Sequence, residues 1–557
     1  MGEHTSLSGM GLPGSYTSGM LLKGEDGRMF FLVGSSQCWE IAGESGGEFR
    51  LNMLGTADSA SGQFLASNRG LMYNGGDGIL YRYGGKNSAQ EAVLRWMDSD
   101  MAQSGVGNEE ILWLSDEEIM VSYRDRQVSG MFLLKKTPVE ELPPKETVVF
   151  AVFSPSYQVE QYVMKFNRNS DKYRISMEYY QGEEGWARLD AQIVSSHPPD
   201  MIQLDSDTIE KYARKDVLAD LAPWLEQSTV LSRDDFPENI LNAYTIKGKL
   251  AGIPNEFQCF TVLGRSGQVG DQGGWTVEDV RNLMEKYSGS ELFRNMSFPN
   301  VVEKFLGNYI TERYIDWESG ECSFDGGDFA AFMEWAAGQS QGMDSDGCFD
   351  PLIGTMEEKQ LLSMDVSITR LDGLLGYEVF FQEKVTAIGY PSADGTVCHL
   401  GDAGNLIGIL ENSDRKEGAW QFMEAFLSEE DIIYSMLPVR KSVLQEQMEE
   451  LMTPDYALDI TGEKILDEKG EPVIFPRIFF MGIGDGEVSL DYMTQAQMDR
   501  VLDVIYSADF SWREGLREEI LEIILEEMSP CMNGQKSFDA AADVVQNRVR
   551  NLIGENL

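Results

Sequence analysis

A few groups of residues have the type and spacing to do chemistry, and each can be weighed against what that chemistry needs. Gly9 to Gly14, GMGLPG, fits the G-x-G-x-x-G cradle for phosphates, but it follows no strand, contains a proline and sits in a Gly/Ser-rich stretch. Ser45 in GESGG fits a nucleophile elbow, yet it joins two β segments where the elbow needs a strand-to-helix turn. Asp344, Asp346 and Asp350 in DSDGCFD offer oxygen ligands of the calcium-loop kind without the EF-hand spacing or its terminal Glu, and read as an acidic surface loop. His4, His197 and His399 are far apart in sequence, which gives no support for a histidine metal site or triad. The six cysteines, Cys38, Cys259, Cys322, Cys348, Cys398 and Cys531, form no C-x-x-C pair and read as buried thiols, although export would permit a Cys322–Cys348 disulfide. No metal, cofactor or catalytic residue is expected.

Composition narrows the partners. With 92 Asp and Glu against 45 Lys and Arg the formal net charge is -47, a field that repels nucleic-acid phosphates and anionic lipid head groups. Apolar runs such as TVVFAVF fall far short of the ~20 residues that span a bilayer. A chain of 557 residues exceeds what one core holds, so two or more domains are expected. Residues 1–18 read as a flexible tail or tether from which a signal has been removed.

The elements that would position any site fall into two styles. Residues 19–136 read as short β segments with Gly-rich or acidic turns, in three stretches of similar layout starting at Gly19, Gln63 and Ile111, close to the period of about 40 to 50 residues of a propeller blade. The third is short of a strand and three blades cannot close a ring, so the set reads as a partial propeller whose natural chain begins upstream, with an irregular β-sandwich as the alternative. A Pro-rich linker, 137–146, with Pro138, Pro143 and Pro144, marks a domain boundary.

Beyond it strands and helices alternate. TVVFAVF is a buried strand, and Val159, Tyr162, Val163 and Phe166 follow helical spacing. YRISMEYY alternates as a strand, GWARLDAQIVSS is a helix, and DMIQLD is a strand again. This β-α-β-α-β order predicts a parallel sheet covered by helices, with ligands outside the carboxyl ends of its strands. AYTIKGKLAGIP reads as a hairpin, Thr276 and Asp279 have capping-box spacing, and amphipathic helices dominate after Asn405.

Several segments in order, ARLDAQIVSSHPPDMIQLD, KGKLAGIPNEF, GWTVEDVRNLM, TAIGYPSADG, SDRKEGAWQFMEAFLSEED and LPVRKSVL, resemble the family 1 extracellular solute-binding proteins of ABC importers, sugar-binding members in particular, across most of 147–557. The N-terminal module resembles the propeller-like region of larger lipoproteins of this family from anaerobic Firmicutes. The resemblance implies a two-lobed periplasmic-binding-protein-like α/β fold with a hinge, preceded by an all-β blade-like module. It also implies a monomer outside the cell that captures an oligosaccharide in an interlobe cleft by hinge closure, hands it to an ABC transporter permease and is lipid-anchored in its precursor, although no lipobox Cys lies near residue 1.

A sugar presents hydroxyls and apolar ring faces, so carboxylates, amides and aromatic rings are the groups to look for. Ser154 and Tyr157 follow the first strand, Asp205 and Ser206 follow DMIQLD, and Asn255, Glu256 and Phe257 are hinge-side candidates, with Asp365 and with Gly404 and Asn405 added. Each has an alternative: Asp205 as a helix cap, Tyr157 and Phe257 as core. Trp186, Trp335 and Trp420 have the spacing of core residues, and Trp317 is undecided. Two other readings stay open, a secreted glycoside-active enzyme using two of the many carboxylates and a cell-surface interaction protein acting through the β module.

Overall fold

The structure is a computed structural model that describes residues 19–556 apart from 24–26, 34–36, 46–47, 57–62, 76–77, 83–90, 100, 102–105, 125–128, 139–140, 142–143, 154, 181, 293–295, 341–361, 430–433, 476, 481–486 and 513–514. The chain divides into two compact units, Met1–Gln203 with Asn412–Phe426, and Leu204–Glu411 with Leu427–Leu557. The candidate calcium loop and Cys348 lie outside the described residues, and Cys322 is a free, buried thiol.

The first unit begins all-β. Strands β1 (Gly19–Lys23), β2 (Met29–Val33), β3 (Gln37–Ser45) and β4 (Glu48–Thr56) form one antiparallel meander. A second meander, β5 (Gln63–Ser67), β6 (Gly70–Asn74), β7 (Ile79–Arg82) and β8 (Glu91–Arg95), matches the second repeat, and β9 (Val106–Trp113), β10 (Glu118–Arg124) and β11 (Ser129–Lys135) match the three-stranded third. Separate blades would keep these two sets apart. Here β5 pairs β9 in parallel at Ser67 and Ile111, and the sets merge into one seven-stranded sheet. Its core is Leu65, Met72, Leu80, Trp96, Ile111 and Val121. Trp96 opens a short 3-10 turn, Trp96–Ser99, where sequence needed no helix, and its indole N–H donates to Asn74 Oδ1 at 2.6 Å.

The predicted β-α-β-α-β order follows: β12 (Glu146–Val152), α1 (Tyr157–Asn169), β13 (Tyr173–Tyr179), α2 (Gly182–Ile193) and β14 (Met201–Leu204). β12 lies between the other two strands and is parallel to both, with Phe150 opposite Met177 and Met201. The helix Lys416–Ser428 packs on this sheet at Gly418, where a Cβ would come within 2.6 Å of the Tyr173 ring and 2.8 Å of Val148. Glycine is what allows that approach. Asp200, from the H-P-P-D segment, is buried and structural: its Oδ2 accepts the Val149 N–H at 2.8 Å and its Oδ1 the Ser413 hydroxyl at 2.6 Å. An amide has only one acceptor oxygen, so Asp200→Asn is expected to cost about 1–2 kcal/mol, read as a lower urea midpoint at unchanged m-value.

The second unit opens with α3 (Ser206–Arg214) and is built around β15 (Glu256–Arg265). β15 is antiparallel to β16 (Ser363–Ile368), to Val385–Ala387, to β17 (His399–Gly404) and to Leu437–Pro438. The expected hairpin is present, Thr245–Ile246 against Lys249–Leu250, turned by Lys247 and Gly248 at φ 50° and 77°. The predicted capping box is present too: Asp279 Oδ2 accepts the Thr276 N–H at 2.8 Å, while the Asp279 N–H donates back to Thr276 Oγ1 at 3.2 Å. Helices do follow Asn405, but residues 455–475 instead form three short segments bridged to one another at Tyr456–Ile474, Leu458–Lys464 and Leu466–Pro472.

Candidate functional site

Successive side chains of a strand point to opposite faces, and β15 uses its two faces differently. Phe257, Cys259 and Thr261 are buried, whereas Gln258 and Phe260 are half-buried. Register extends the second face across the sheet: Gln258 lies opposite Asp402, Phe260 opposite Ser367 and Leu400, and Val262 opposite Asp365. Val262 and Leu400 are buried, but the rest of this face is open and carries an amide, an aromatic ring, a hydroxyl and two carboxylates.

Their hydrogen bonds fix these groups. The Ser367 hydroxyl donates to Gln258 Oε1 at 2.7 Å, and the Ser206 hydroxyl, in the first turn of α3, donates to Asp402 Oδ1 at 3.0 Å. Asp365 accepts from the Lys304 ammonium at 2.9 Å and from the Tyr390 hydroxyl at 2.5 Å. Burial, and then the Asp365 carboxylate, push the Tyr390 hydroxyl well above its usual value, so it stays a donor. Lys304 also stands 4.0 Å over the Phe260 ring. Asp402 has no cationic partner among the described residues, and the Ser206 hydroxyl leaves its carboxylate with acceptor capacity to spare. Such a face suits a ligand rich in hydroxyls with an apolar side for the ring.

At the start of β15 lies a buried clasp. Glu256 Oε2 accepts the Ser435 and Met436 N–H groups at 2.9 and 3.1 Å, and its Oε1 accepts Asn405 Nδ2 at 3.0 Å. Asn405 Nδ2 also donates to Asn255 Oδ1 at 3.0 Å, from a left-handed backbone at φ 51° that Asn tolerates. Gly404 stands opposite Glu256, and a Cβ there would lie 2.7 Å from Glu256 Cγ, so the bare backbone lets the carboxylate lie flat. Burial raises the Glu256 pKa, with the three N–H donors opposing it.

The first unit places aromatic rings at the carboxyl ends of β12 and β13. Phe153 stacks on Trp186 with centroids 3.4 Å apart and lies 5.8 Å from Tyr180, while its N–H donates to Gln203 Oε1 at 3.3 Å. Trp186 is half-buried there, packed on Phe153.

The residues expected from sequence are distributed as follows. Ser154 lies outside the described residues, as does the side chain of Tyr157, which opens α1. Asp205 is exposed and caps α3, accepting the Thr208 N–H at 2.7 Å, while Ser206 and Asp365 reach the open face. Asn255, Glu256 and Asn405 meet in the clasp, and Phe257 is on the buried face against the Phe510 ring, centroids 5.7 Å apart. Trp317 lines an open recess of about 660 Å³ with Tyr314 and Cys322. Sequence reasoning missed Gln258, Phe260, Ser367, Asp402 and Lys304; the polar alternation Glu256, Gln258 against Phe257, Cys259 was the available signal.

Residues 161–457, more than half of the chain, match the family described as bacterial extracellular solute-binding protein. Similar solved structures include the sugar-binding protein MalE from the phytopathogen Xanthomonas citri, at 13% identity and TM-score 0.50 over 74% of this chain and 98% of that one. The cyclic alpha-maltosyl-1,6-maltose binding protein from Arthrobacter globiformis is 16% identical, with TM-score 0.46 over 74% of this chain and 100% of that one. A family 1 extracellular solute-binding protein from Bifidobacterium longum subsp. infantis is 15% identical, with TM-score 0.45 over 74% and 100%. The Xanthomonas structure shows a shared fold, and the family match takes in β13, β14 and the sheet that carries the open face. The chain belongs to the bacterial extracellular solute-binding proteins.

Proposed function

We propose that this protein captures a carbohydrate outside the cytoplasm and passes it unchanged to the permease of an ABC transporter, its precursor being held at the cell surface by an N-terminal lipid. The open face of the second unit carries this reading, because Gln258, Asp402 and Ser206 offer hydroxyl partners beside the Phe260 ring. Membership of an extracellular family and the sugar-binding descriptions of the Xanthomonas and Arthrobacter proteins agree with it. Of the residues expected from sequence we assign ligand contact to Ser206 and Asp365; Asn255, Glu256 and Asn405 hold the strand end in place.

Thermal shift against mono- and oligosaccharides, followed by product analysis, tests the proposal. A ligand at 100 times its Kd adds about 2.7 kcal/mol. Asp402→Ala is expected to weaken the best saccharide roughly ten- to a hundredfold, as loss of a hydrogen bond to a charged group does, with little change in the ligand-free melt. Cleaved saccharides, or no saccharide shift at all, would sink the reading.

A further inference from the structure

Residues 455–475 of the second unit gather a cluster of exposed apolar residues. Leu458, Leu466 and Ile474 are 56%, 57% and 44% exposed, and Ile460 and Phe475 are open as well. An eight-residue repeat produces this: Ala457, Ile465 and Val473 recur in step, each followed by Leu458, Leu466 or Ile474, and the two intervening turns read Asp459-Ile-Thr-Gly-Glu463 and Asp467-Glu-Lys-Gly-Glu471.

The repeat closes on itself. The Ile465 N–H donates to Ala457 O at 2.8 Å, the Val473 N–H to Ile465 O at 2.8 Å and the Ala457 N–H to Val473 O at 2.9 Å. Each turn is locked by its aspartate: Asp459 Oδ1 accepts the Thr461 and Glu463 N–H groups, and Asp467 Oδ1 those of Lys469 and Glu471, all within 3.0 Å. Gly462 and Gly470 supply the positive φ of 86° and 84°. The three segments thus form a stiff prong, and equivalent positions in the repeat present Leu458, Leu466 and Ile474.

We propose that this acid-rimmed apolar prong is a docking surface for another protein, which meets it with an apolar face bordered by lysine and arginine. Exposed aliphatic side chains on a preorganised backbone have no folding role, lose little entropy on docking and mark interaction sites. Charge selects the occupant. Residues 455–475 hold Asp455, Asp459, Glu463, Asp467, Glu468 and Glu471 against Lys464 and Lys469. That rim attracts a cationic surface, repels anionic lipid, and repels a second copy of a chain whose net charge is -47.

Two synthetic amphipathic helical peptides of equal leucine content, one Leu/Lys and one Leu/Glu, serve as probes. Fluorescence anisotropy is measured with the full chain at about 0.15 M salt, where long-range attraction is screened. The Leu/Lys peptide is expected to bind and the Leu/Glu peptide not to. Leu458→Ser with Leu466→Ser and Ile474→Ser should weaken binding at least about tenfold. Glu463→Lys with Glu468→Lys and Glu471→Lys should do likewise, which keeps the test decisive if the serine variant misfolds. Leu/Lys binding untouched by both variants, equal binding of the Leu/Glu peptide, a dimer in light scattering that the serine variant abolishes, or prong-dependent sedimentation with phosphatidylglycerol vesicles would each overturn the proposal.

Discussion

Glu256→Leu is expected to cost about 3–4 kcal/mol of stability, because it strands three donors at once. The carboxylate accepts from Ser435, Met436 and Asn405, which come from two distant segments of the second unit, and leucine offers none of them an acceptor. Exposed Ser435 regains part of its loss from water, which keeps the figure below the sum of three buried donors. Glu256→Gln retains one acceptor oxygen and should lose about half as much. The pH dependence has a defined sign. A carboxyl whose folded pKa is raised gains stability as pH falls through that pKa, so the gap between wild type and Glu256→Gln should widen on acidification from neutral. Urea denaturation at several pH values measures both effects, and a Glu256→Leu variant as stable as wild type would refute the clasp.

A second large effect is expected from acid. His399 sits on the buried face of β17, its Nδ1 2.9 Å from Thr261 Oγ1, and burial lowers its pKa from 6.5 to about 4. The unfolded chain binds a proton at this residue below pH 6.5 while the folded chain does not until about pH 4. The stability in question is therefore complete above pH 6.5 and falls by about 3 kcal/mol as pH drops to 4. His399→Gln can keep a hydrogen bond to Thr261 and has no proton to take up, so its denaturation midpoint should vary less between pH 7 and 4.5. Parallel profiles for the two proteins would place the acid sensitivity elsewhere.

Much of the architecture was legible because it rests on local periodicity. The helical spacing of Val159, Tyr162, Val163 and Phe166, the alternation in YRISMEYY and the Thr276–Asp279 box each report their own element without reference to distant chain. The three β repeats were visible too, but their merger was not, since a single pairing at Ser67 and Ile111 joins segments with no sequence sign of contact. The site was harder. Asn255, Glu256 and Asn405 were recognised as polar residues at a strand end, yet their partners include backbone amides about 180 residues away, and that clasp is a tertiary fact. Gln258 and Phe260 were overlooked because β15 is apolar on one face and mixed on the other, which blurs the polar signal. The eight-residue repeat in 455–475 was fully present in the sequence; the amphipathic helices around it drew the whole region into one description.

Gly404 and Glu256 bear on how this sheet can change over generations. Any side chain at 404 would collide with the Glu256 stem, so substitution there is harmful while glutamate stays. Once position 256 has become small the clash with its stem disappears and only the Met436 methyl, the end of a flexible side chain, has to move aside, so an alanine at 404 would bring the better backbone propensity of a non-glycine residue. The two positions are thus epistatic: the order of mutation decides which paths are open, and a double-mutant cycle of Gly404→Ala with Glu256→Ser should show a strongly favourable coupling term. Lineages that keep the carboxylate are bound to keep the glycine.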